Sequence, residues 1–486
     1  MAAAGDGIAY ASPAGRWVLL TTILGSGLAS LDASVVNVAL PTIGRDLDVD
    51  LTALQGVVTA YTLTLAGLLL LGGSLGDRFG RRRVFCLGVA WFALASLLCG
   101  LAPGAGTLVA ARALQGVGAA LLTPGSLAIL EASFRPADRA RAIGAWSGLG
   151  GVATALGPLL GGWLLQVASW RWLFLLNVPL AVVVLVVAAR HVPETRAPGA
   201  HGRVDWPGAV LVTAALAAAT SGLVGAGATG WASGSVLVPL VLGVVLLGAF
   251  LLRQARARDP LLPLDLFRRR QFSGVNAVTF VVYGALSATL FLLPVVLQDG
   301  AGYSPLAAGA TLLPVTLVML LLSARSGALA ARRGPRLQLS AGPVVVAAGL
   351  LLLVRVDQRG DYLTQVLPAV LVFGLGLAVT VAPLTSTALA AAPVEHAGVA
   401  SATNNVVART AGLLSVAVLP ALVGLDASRA LPPAALVAGL HTAAVLAAGV
   451  CVLGGVLAAL TIRDPGRAPT APACSHCAVD APALRP

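Results

Sequence analysis

Gly73-Ser74-Leu75-Gly76-Asp77-Arg78-Phe79-Gly80-Arg81-Arg82-Arg83 is the stretch that decides the fold. It holds four arginines and one aspartate in eleven residues, between two apolar runs of about twenty residues each. Charge this dense is excluded from hydrocarbon, which predicts a short loop between two membrane spans. Excess basic charge in short loops marks the cytoplasmic side of a membrane. The loop is therefore predicted to be cytoplasmic.

The loop also carries a recognisable pattern. Gly-x-Leu-x-Asp-Arg-x-Gly-Arg-Arg resembles the loop motif of the major facilitator superfamily of secondary transporters. A weaker copy recurs 254 positions on, from Gly327 to Arg336, with Ala331 where the first copy has Asp77. Two copies indicate two related halves, as expected of such transporters. The resemblance implies a charge network in which Asp77, Arg81 and, as the candidate third member at the inner end of the fourth span, Glu131 hold the outward-facing state closed on the inside. The other residues of this conformational loop motif are Gly73, Arg78 and Gly80.

The composition indicates a polytopic membrane protein. Of 486 residues, 58% are hydrophobic and 10% charged, whereas soluble domains are typically about 25% charged. The net charge of +12 is interpreted as cytoplasmic loops that face anionic lipid, and nucleic-acid binding is a poor second explanation. Cys474 and Cys477 lie in a Pro/Ala-rich tail, where a metal or redox role lacks a folded context.

Fourteen apolar runs are long enough to cross the roughly 30 Å hydrocarbon core as helices. They lie near 17–39, 54–75, 84–103, 107–130, 142–165, 172–189, 206–225, 236–252, 272–297, 307–323, 337–354, 363–386, 398–423 and 440–462. The predicted organisation is a short, disordered cytoplasmic leader (1–16), a six-helix bundle (17–190), a linker with two extra helices (191–271), a second six-helix bundle (272–462) and a disordered cytoplasmic tail (463–486).

The arginines test this topology. Segments predicted inside carry 24 arginines and those predicted outside carry 5, while Arg112 and Arg409 fall within spans. Dropping one helix would destroy the asymmetry. We therefore expect a multi-pass protein of the cell membrane with both termini in the cytoplasm.

Asp32 lies in the first predicted span among apolar neighbours, five residues before Asn37. Intramembrane ionisable groups are rare and are functional by default. Desolvation favours the protonated form of a carboxyl group, which suits a group that alternately binds and releases a proton. The alternative is a permanently ionised structural partner of an arginine. The string around Asp32 resembles the first-helix motif of the fourteen-helix drug:proton antiporters.

Arg112 in the fourth span cannot readily deprotonate, so it must be paired or hydrated, and Gln115 lies one turn away on the same face. The segment resembles the family's fourth-helix motif, which implies a role for Arg112 in proton transfer. The alternative is an ion pair that holds helices together.

Small residues mark the fifth span: Gly144, Gly157, Pro158, Gly161 and Gly162. Proline bends a helix, and glycines at four-residue spacing allow close approach of another backbone. The order of these residues resembles the antiporter motif of the superfamily, although Ala153 replaces one of its glycines. The resemblance implies antiport.

Further strings match the fourteen-helix family. They are Ser169 to Pro179 after the fifth span, Leu293 to Gly309, and Ala402 to Gly412. Asn404, Asn405 and Arg409 are expected to face a cavity because exposure to lipid is costly, and interhelical hydrogen bonding is the alternative. With Asn37 and Gln115 they are the candidate cavity residues.

These patterns predict an all-α major facilitator transporter of fourteen helices, with two six-helix bundles flanking a cavity. The resemblance implies proton-driven export of small, mostly apolar drugs or antibiotics by a monomer in contact with lipid, with no bound cofactor or metal and no enzymatic activity. Export of a dedicated metabolite or lipid is the alternative. A membrane-embedded transferase is more remote, since the five histidines are scattered, and a channel does not explain the duplicated loop.

Overall fold

A computed structural model describes residues 7–196, 203–391, 397–424 and 432–464 of the chain. The first seven long helices are α1 (Pro13–Leu47), α2 (Leu51–Phe79), α3 (Arg81–Gly100), α4 (Ala105–Ser133), α5 (Pro136–Val167), α6 (Arg171–His191) and α7 (Trp206–Thr229). The other seven are α8 (Gly234–Arg256), α9 (Arg270–Gly300), α10 (Pro305–Arg333), α11 (Arg336–Arg355), α12 (Tyr362–Ala390), α13 (Ala397–Leu422) and α14 (Pro433–Thr461).

These helices confirm the predicted all-α fold. Thirteen helices among the described residues are long and apolar enough to cross a membrane. The remaining predicted span falls in α5, a helix of 32 residues. Several helices extend past the predicted spans: α1 continues through Pro41 to Leu47 instead of ending near residue 39.

The N-terminal leader differs from expectation over residues 7–12. Ile8 pairs with Phe134 in an isolated β-bridge, and the backbone N–H of Tyr10 donates to the Asp138 carboxylate at 3.0 Å. Backbone hydrogen bonds to the α4–α5 connection therefore order this short segment, which sequence reasoning expected to be disordered. Residues 1–6 and the tail from residue 465, with Cys474 and Cys477, lie outside the described residues.

The two halves repeat in register. α2 and α10 begin 254 positions apart and end 254 positions apart. Their N-caps keep the same spacing: Asp50 accepts from the N–H of Ala53, and Ser304 accepts from that of Ala307. The duplicated sequence motif is thus part of a longer structural repeat that covers α2 and α10 with their N-caps.

The hairpin of α7 and α8 lies between the halves in sequence and packs beside both in space. α7 contacts α2 and α13. Thr213 of α7 fills the space that a Cβ at Gly67 of α2 would need. Leu216 of α7 joins Ala66 and Leu413 in one buried apolar cluster. The hairpin therefore covers one side of the seam between the halves.

Candidate functional site

Asp32 lies at the centre of a buried polar cluster in the first half. The residue is 2% exposed, and Arg112 Nη1 lies 2.5 Å from its Oδ2. Its Oδ1 accepts from Gln115 Nε2 at 2.9 Å and from Asn177 Nδ2 at 3.1 Å. A buried carboxylate needs both a counter-charge and hydrogen bonds to offset its desolvation, and here it has both.

Arg112 keeps further partners that do not depend on Asp32. Its Nε donates to the Val57 carbonyl of α2 at 3.2 Å, and Nη1 also donates to Gln115 Oε1. The guanidinium lies over the rings of Tyr61 at 4.2 Å and Phe174 at 5.7 Å. A cation held against aromatic faces is stabilised electrostatically, so Arg112 stays supported when the carboxylate is neutralised.

Three other helices complete the cluster with residues that sequence reasoning did not assign to it. Ser96 of α3 accepts from Gln115 Nε2 at 2.6 Å and from Asn177 Nδ2 at 3.1 Å. Asn177 comes from α6 and Tyr61 from α2. Sequence reasoning noted Asn177 within a motif, but isolated polar residues on separate helices give no spacing that brings them together.

The expected charge network of the loop is only partly formed. Asp77 Oδ1 accepts from Arg81 Nε at 2.9 Å, and Arg81 Nη1 donates to the Ala128 carbonyl of α4 at 3.2 Å. Glu131 was expected to be the third member, but it makes no hydrogen bond or ion pair with any described residue. It lies half-buried near Arg81 without contact, so the three-residue network is not closed in this conformation.

Glu194 instead holds the loop, and sequence reasoning missed it. Its carboxylate accepts from the backbone N–H groups of Arg82 and Arg83 at 3.1 and 3.2 Å, at the start of α3. Both guanidinium groups lie 3.7 Å away. Free N–H groups and the helix dipole favour a carboxylate at a helix N-terminus. A single acidic residue after a predicted membrane span has no sequence pattern that would have indicated this role for Glu194.

The small residues of α5 allow close packing against two other helices, α1 and α10. Gly157 and Gly161 face Ser34 and Val35 of α1, while Gly162 faces the Pro305–Leu306 backbone of α10. The carbonyl oxygen of Pro158 packs against Gly309 of α10, where a Cβ would lie. Gly144, by contrast, has open space where a Cβ would lie. The predicted close packing thus applies to the Gly157–Gly162 segment.

The candidate cavity residues do not form one cluster. Asn404 Nδ2 donates to Asn276 Oδ1 at 3.1 Å and to Thr279 Oγ1 at 2.8 Å, which is the interhelical bonding that was the alternative. Gln115 belongs to the Asp32 cluster. Asn405 is exposed, and Arg409 is half-buried with no hydrogen bond or ion pair to a described residue. Asn37 Oδ1 is buried without a partner in the described part of the chain.

Comparison with known proteins identifies the relatives of the chain. The family model described as Major Facilitator Superfamily matches residues 22–417. The puromycin resistance protein of Streptomyces alboniger is 40% identical, over 91% of this chain and 90% of that protein. The tetracenomycin C resistance and export protein of Streptomyces glaucescens is 35% identical, over 83% of this chain and 75% of that protein.

Solved structures share the fold. A POT family transporter in complex with a thioalcohol conjugated peptide superimposes with a TM-score of 0.68 at 13% sequence identity. The match covers 90% of this chain and 94% of that one. At this identity the likeness concerns the arrangement of helices and not the substrate.

Proposed function

The chain belongs to the Major Facilitator Superfamily, and from that premise we propose that it exports small, mostly apolar compounds, antibiotics among them, in exchange for protons. It is a multi-pass membrane protein with antibiotic resistance and export proteins among its relatives. The observation that carries the proposal is the buried Asp32–Arg112 pair, because an ionisable group held at this depth is suited to carry a proton across.

The geometry supports two states of Asp32. When the carboxylate is ionised, Arg112, Gln115 and Asn177 all donate to it. When it takes a proton from the outside, Arg112 retains the Val57 carbonyl and the Tyr61 ring. The cluster can therefore exchange one proton without leaving a buried cation unsupported. Substrate and proton would be bound in alternation as the halves rock.

The direction and driving force belong to the same proposal. We place both termini and the Asp77 loop in the cytoplasm, from the arginine distribution. The proton gradient supplies the energy, with no bound cofactor and no catalytic step. A monomer in contact with lipid would suffice, because the repeated halves lie in one chain.

A dedicated exporter of one metabolite is the second candidate. The tetracenomycin C protein is named for resistance to and export of one compound. The two candidates differ in substrate range, since a dedicated exporter would move one member of a chemical panel and a multidrug exporter several.

The test is transport into inside-out vesicles against a panel that includes puromycin and tetracenomycin C, with collapse of the pH gradient as the readout. We expect substrate-dependent proton movement that disappears in Asp32→Asn. Uptake that is indifferent to the proton gradient would overturn proton coupling. Absence of uptake for every panel compound would overturn drug export.

Sidedness has a separate test. Single cysteines are placed at Asp48 and at Arg269, at opposite ends of the helices, in a background without native cysteines. We expect an impermeant thiol reagent to label the Asp48 position in intact cells and the Arg269 position only after permeabilisation. The reverse pattern would invert the topology.

A further inference from the structure

Arg409 is a cation within the span of α13, and no described residue balances its charge. It is half-buried, with no hydrogen bond or ion pair to a described residue. Within the described helices of the second half there is one carboxylate, Asp299, which lies at the far end of α9 and pairs with Arg45. Asp32 of the first half is already held by Arg112. An unpaired arginine in a membrane span is costly, so Arg409 requires water or an anion from outside the chain.

Helical geometry places Arg409 on one stripe of α13 with Asn405 and Gly412. These residues precede and follow Arg409 by four and three positions, so all three lie on one face of the helix. The Ser287 hydroxyl of α9 fills the space that a Cβ at Gly412 would need, whereas Asn405, nearer the arginine-rich loops, is exposed. Arg409 therefore lies where the close packing of this stripe ends and the stripe becomes accessible.

Tyr283 of α9 lies at the same depth as Arg409. The contacts between α13 and α9 advance together along both helices, so the two helices run parallel. From the contact of Gly412 with Ser287, Arg409 and Tyr283 lie three and four residues back, about 5 and 6 Å along the helix axes. The charge of Arg409 also acts on the Tyr283 hydroxyl. The tyrosine and the arginine are therefore neighbours between α9 and α13.

Tyr61 of α2 reaches the same depth from the other half. α2 and α13 run antiparallel, and Gln55 Nε2 donates to the Val416 carbonyl at 2.8 Å. From that hydrogen bond, Tyr61 and Arg409 lie six and seven residues along, about 9 and 10 Å toward the arginine-rich loops. Val406, one turn beyond Arg409, packs against the apolar cluster that contains Tyr61. Arg409 and Tyr61 thus face each other across the seam, and the charge of Arg409 acts on the Tyr61 hydroxyl.

Tyr61 connects this site to the Asp32 cluster. The Arg112 guanidinium lies over its ring at 4.2 Å, and its hydroxyl donates to the Ala29 carbonyl of α1 at 3.2 Å. Both arginines of the membrane spans therefore act on one tyrosine, but only Arg112 has a carboxylate partner. With two arginines and one aspartate, the region between the halves carries an excess positive charge, and that charge is at Arg409.

We propose that Arg409 binds an anionic group of the exported compound between Tyr61 and Tyr283. The substrate class is then apolar compounds that carry a carboxylate. The guanidinium presents a planar fork of donors that fits a carboxylate, and the two aromatic rings pack against the apolar body. The substrate supplies the counter-charge that the chain lacks, so its binding offsets the cost of the unpaired cation. This inference rests on the proposed function, since it assigns the space beside Arg409 to the substrate.

The test measures binding to the purified protein in an uncharged detergent, with two fluorescent probes that differ in one charge. Dansyl-leucine carries a carboxylate, and dansyl-leucine methyl ester has the same apolar body without the charge. We expect the parent to bind the acid about tenfold more tightly than the ester, the size of one charge-assisted hydrogen-bonded contact. Arg409→Gln should weaken binding of the acid about tenfold and leave the affinity for the ester within about twofold.

Two further variants complete the test. Arg409→Lys keeps the charge without the planar fork, so it should retain a weaker preference for the acid. Arg256→Gln is the matched control, because it removes an exposed arginine at the end of α8 and should change neither affinity.

The outcomes separate this inference from the proposed function. No binding of the acid, equal binding of acid and ester by the parent, or an equal loss of both in Arg409→Gln would overturn the anion site. Comparison of the two probes on the parent needs no variant, so a variant that fails to fold leaves the test intact. Binding is measured without a proton gradient, so a failure of proton-coupled export does not alter this result. Loss of the charge preference alone leaves export of neutral compounds standing.

Discussion

Glu194 and Asp464 hold the same position in the two halves of the molecule. Each follows the last helix of its half by three residues, and each accepts a hydrogen bond from the start of that half's third helix. Their donors, the N–H groups of Arg82 and Arg336, are themselves 254 positions apart. Each half is therefore closed by a carboxylate that ties its last helix to its third.

Replacing these carboxylates should loosen the halves. Glu194→Ala and Asp464→Ala each remove a helix N-terminal acceptor, for which we expect a loss of about 1 kcal/mol and a lower Tm in detergent. Asp77→Asn is the control for Tm, because Asp77 pairs with Arg81 one turn away, its side chain is 44% exposed, and it has no other ion pair among the described residues. It should leave Tm nearly unchanged and abolish export, as the family loop motif implies. Normal export by Asp77→Asn would contradict a conformational role for that residue.

The two interpretations of the Asp32–Arg112 pair predict different double variants. Asp32→Asn removes the counter-charge of Arg112, but the Val57 carbonyl and the Tyr61 ring still support the cation, so we expect a modest fall in Tm and a loss of gradient-driven efflux. Adding Arg112→Gln removes the second charge and should recover much of the Tm. If the pair carries protons, efflux stays absent in the double variant. Recovery of both Tm and proton-coupled efflux would show that the pair is structural.

The glycines of α5 should differ in their tolerance of a methyl group. At Gly162 an added Cβ would lie 2.6 Å from Leu306 Cα, so Gly162→Ala should destabilise the closed seam by about 1–3 kcal/mol and slow transport. Gly144→Ala adds a methyl group into open space within the helix, so it should leave the efflux rate unchanged and should not lower Tm. Equal effects of the two substitutions, measured in the same vesicles, would refute the packing argument.

The base of the α7–α8 hairpin should respond to pH. Burial alone would raise the pKa of the Asp205 carboxyl, but hydrogen bonds from Gln254 and Arg253 outweigh it and hold the pKa below its usual value. Because the ionised form is favoured in the folded state, its stabilisation is present above pH ~4 and is lost as pH falls further. The Tm difference between the parent and Asp205→Asn should narrow over that range. A difference that widens toward acid would contradict this assignment.

Prediction from the sequence succeeded where the signal was local. The Gly73–Arg83 motif and the apolar runs located the helices, although α2 and α3 extend through the predicted loop and leave only Gly80 between them. Three-residue spacing placed Arg112 and Gln115 on one face of α4. Ser96 and Tyr61 could not be assigned, because their role arises from packing between helices far apart in sequence. Glu131 was assigned through the resemblance alone, and in this structure it makes no hydrogen bond or ion pair with a described residue.

The packing of the α7–α8 hairpin determines which helices move together when the two halves rock. A helix that touches both halves, as α7 does, cannot preserve both contacts while the halves rock. Thr213 occupies the space beside Gly67 and so resists sliding, whereas Leu216 packs with Leu413 through apolar side chains alone. The hairpin should then travel with the first half, so that eight helices turn against six. We therefore expect α7 to slide on α13 during each cycle, so a compound bound between them would slow the transporter without entering its transport path.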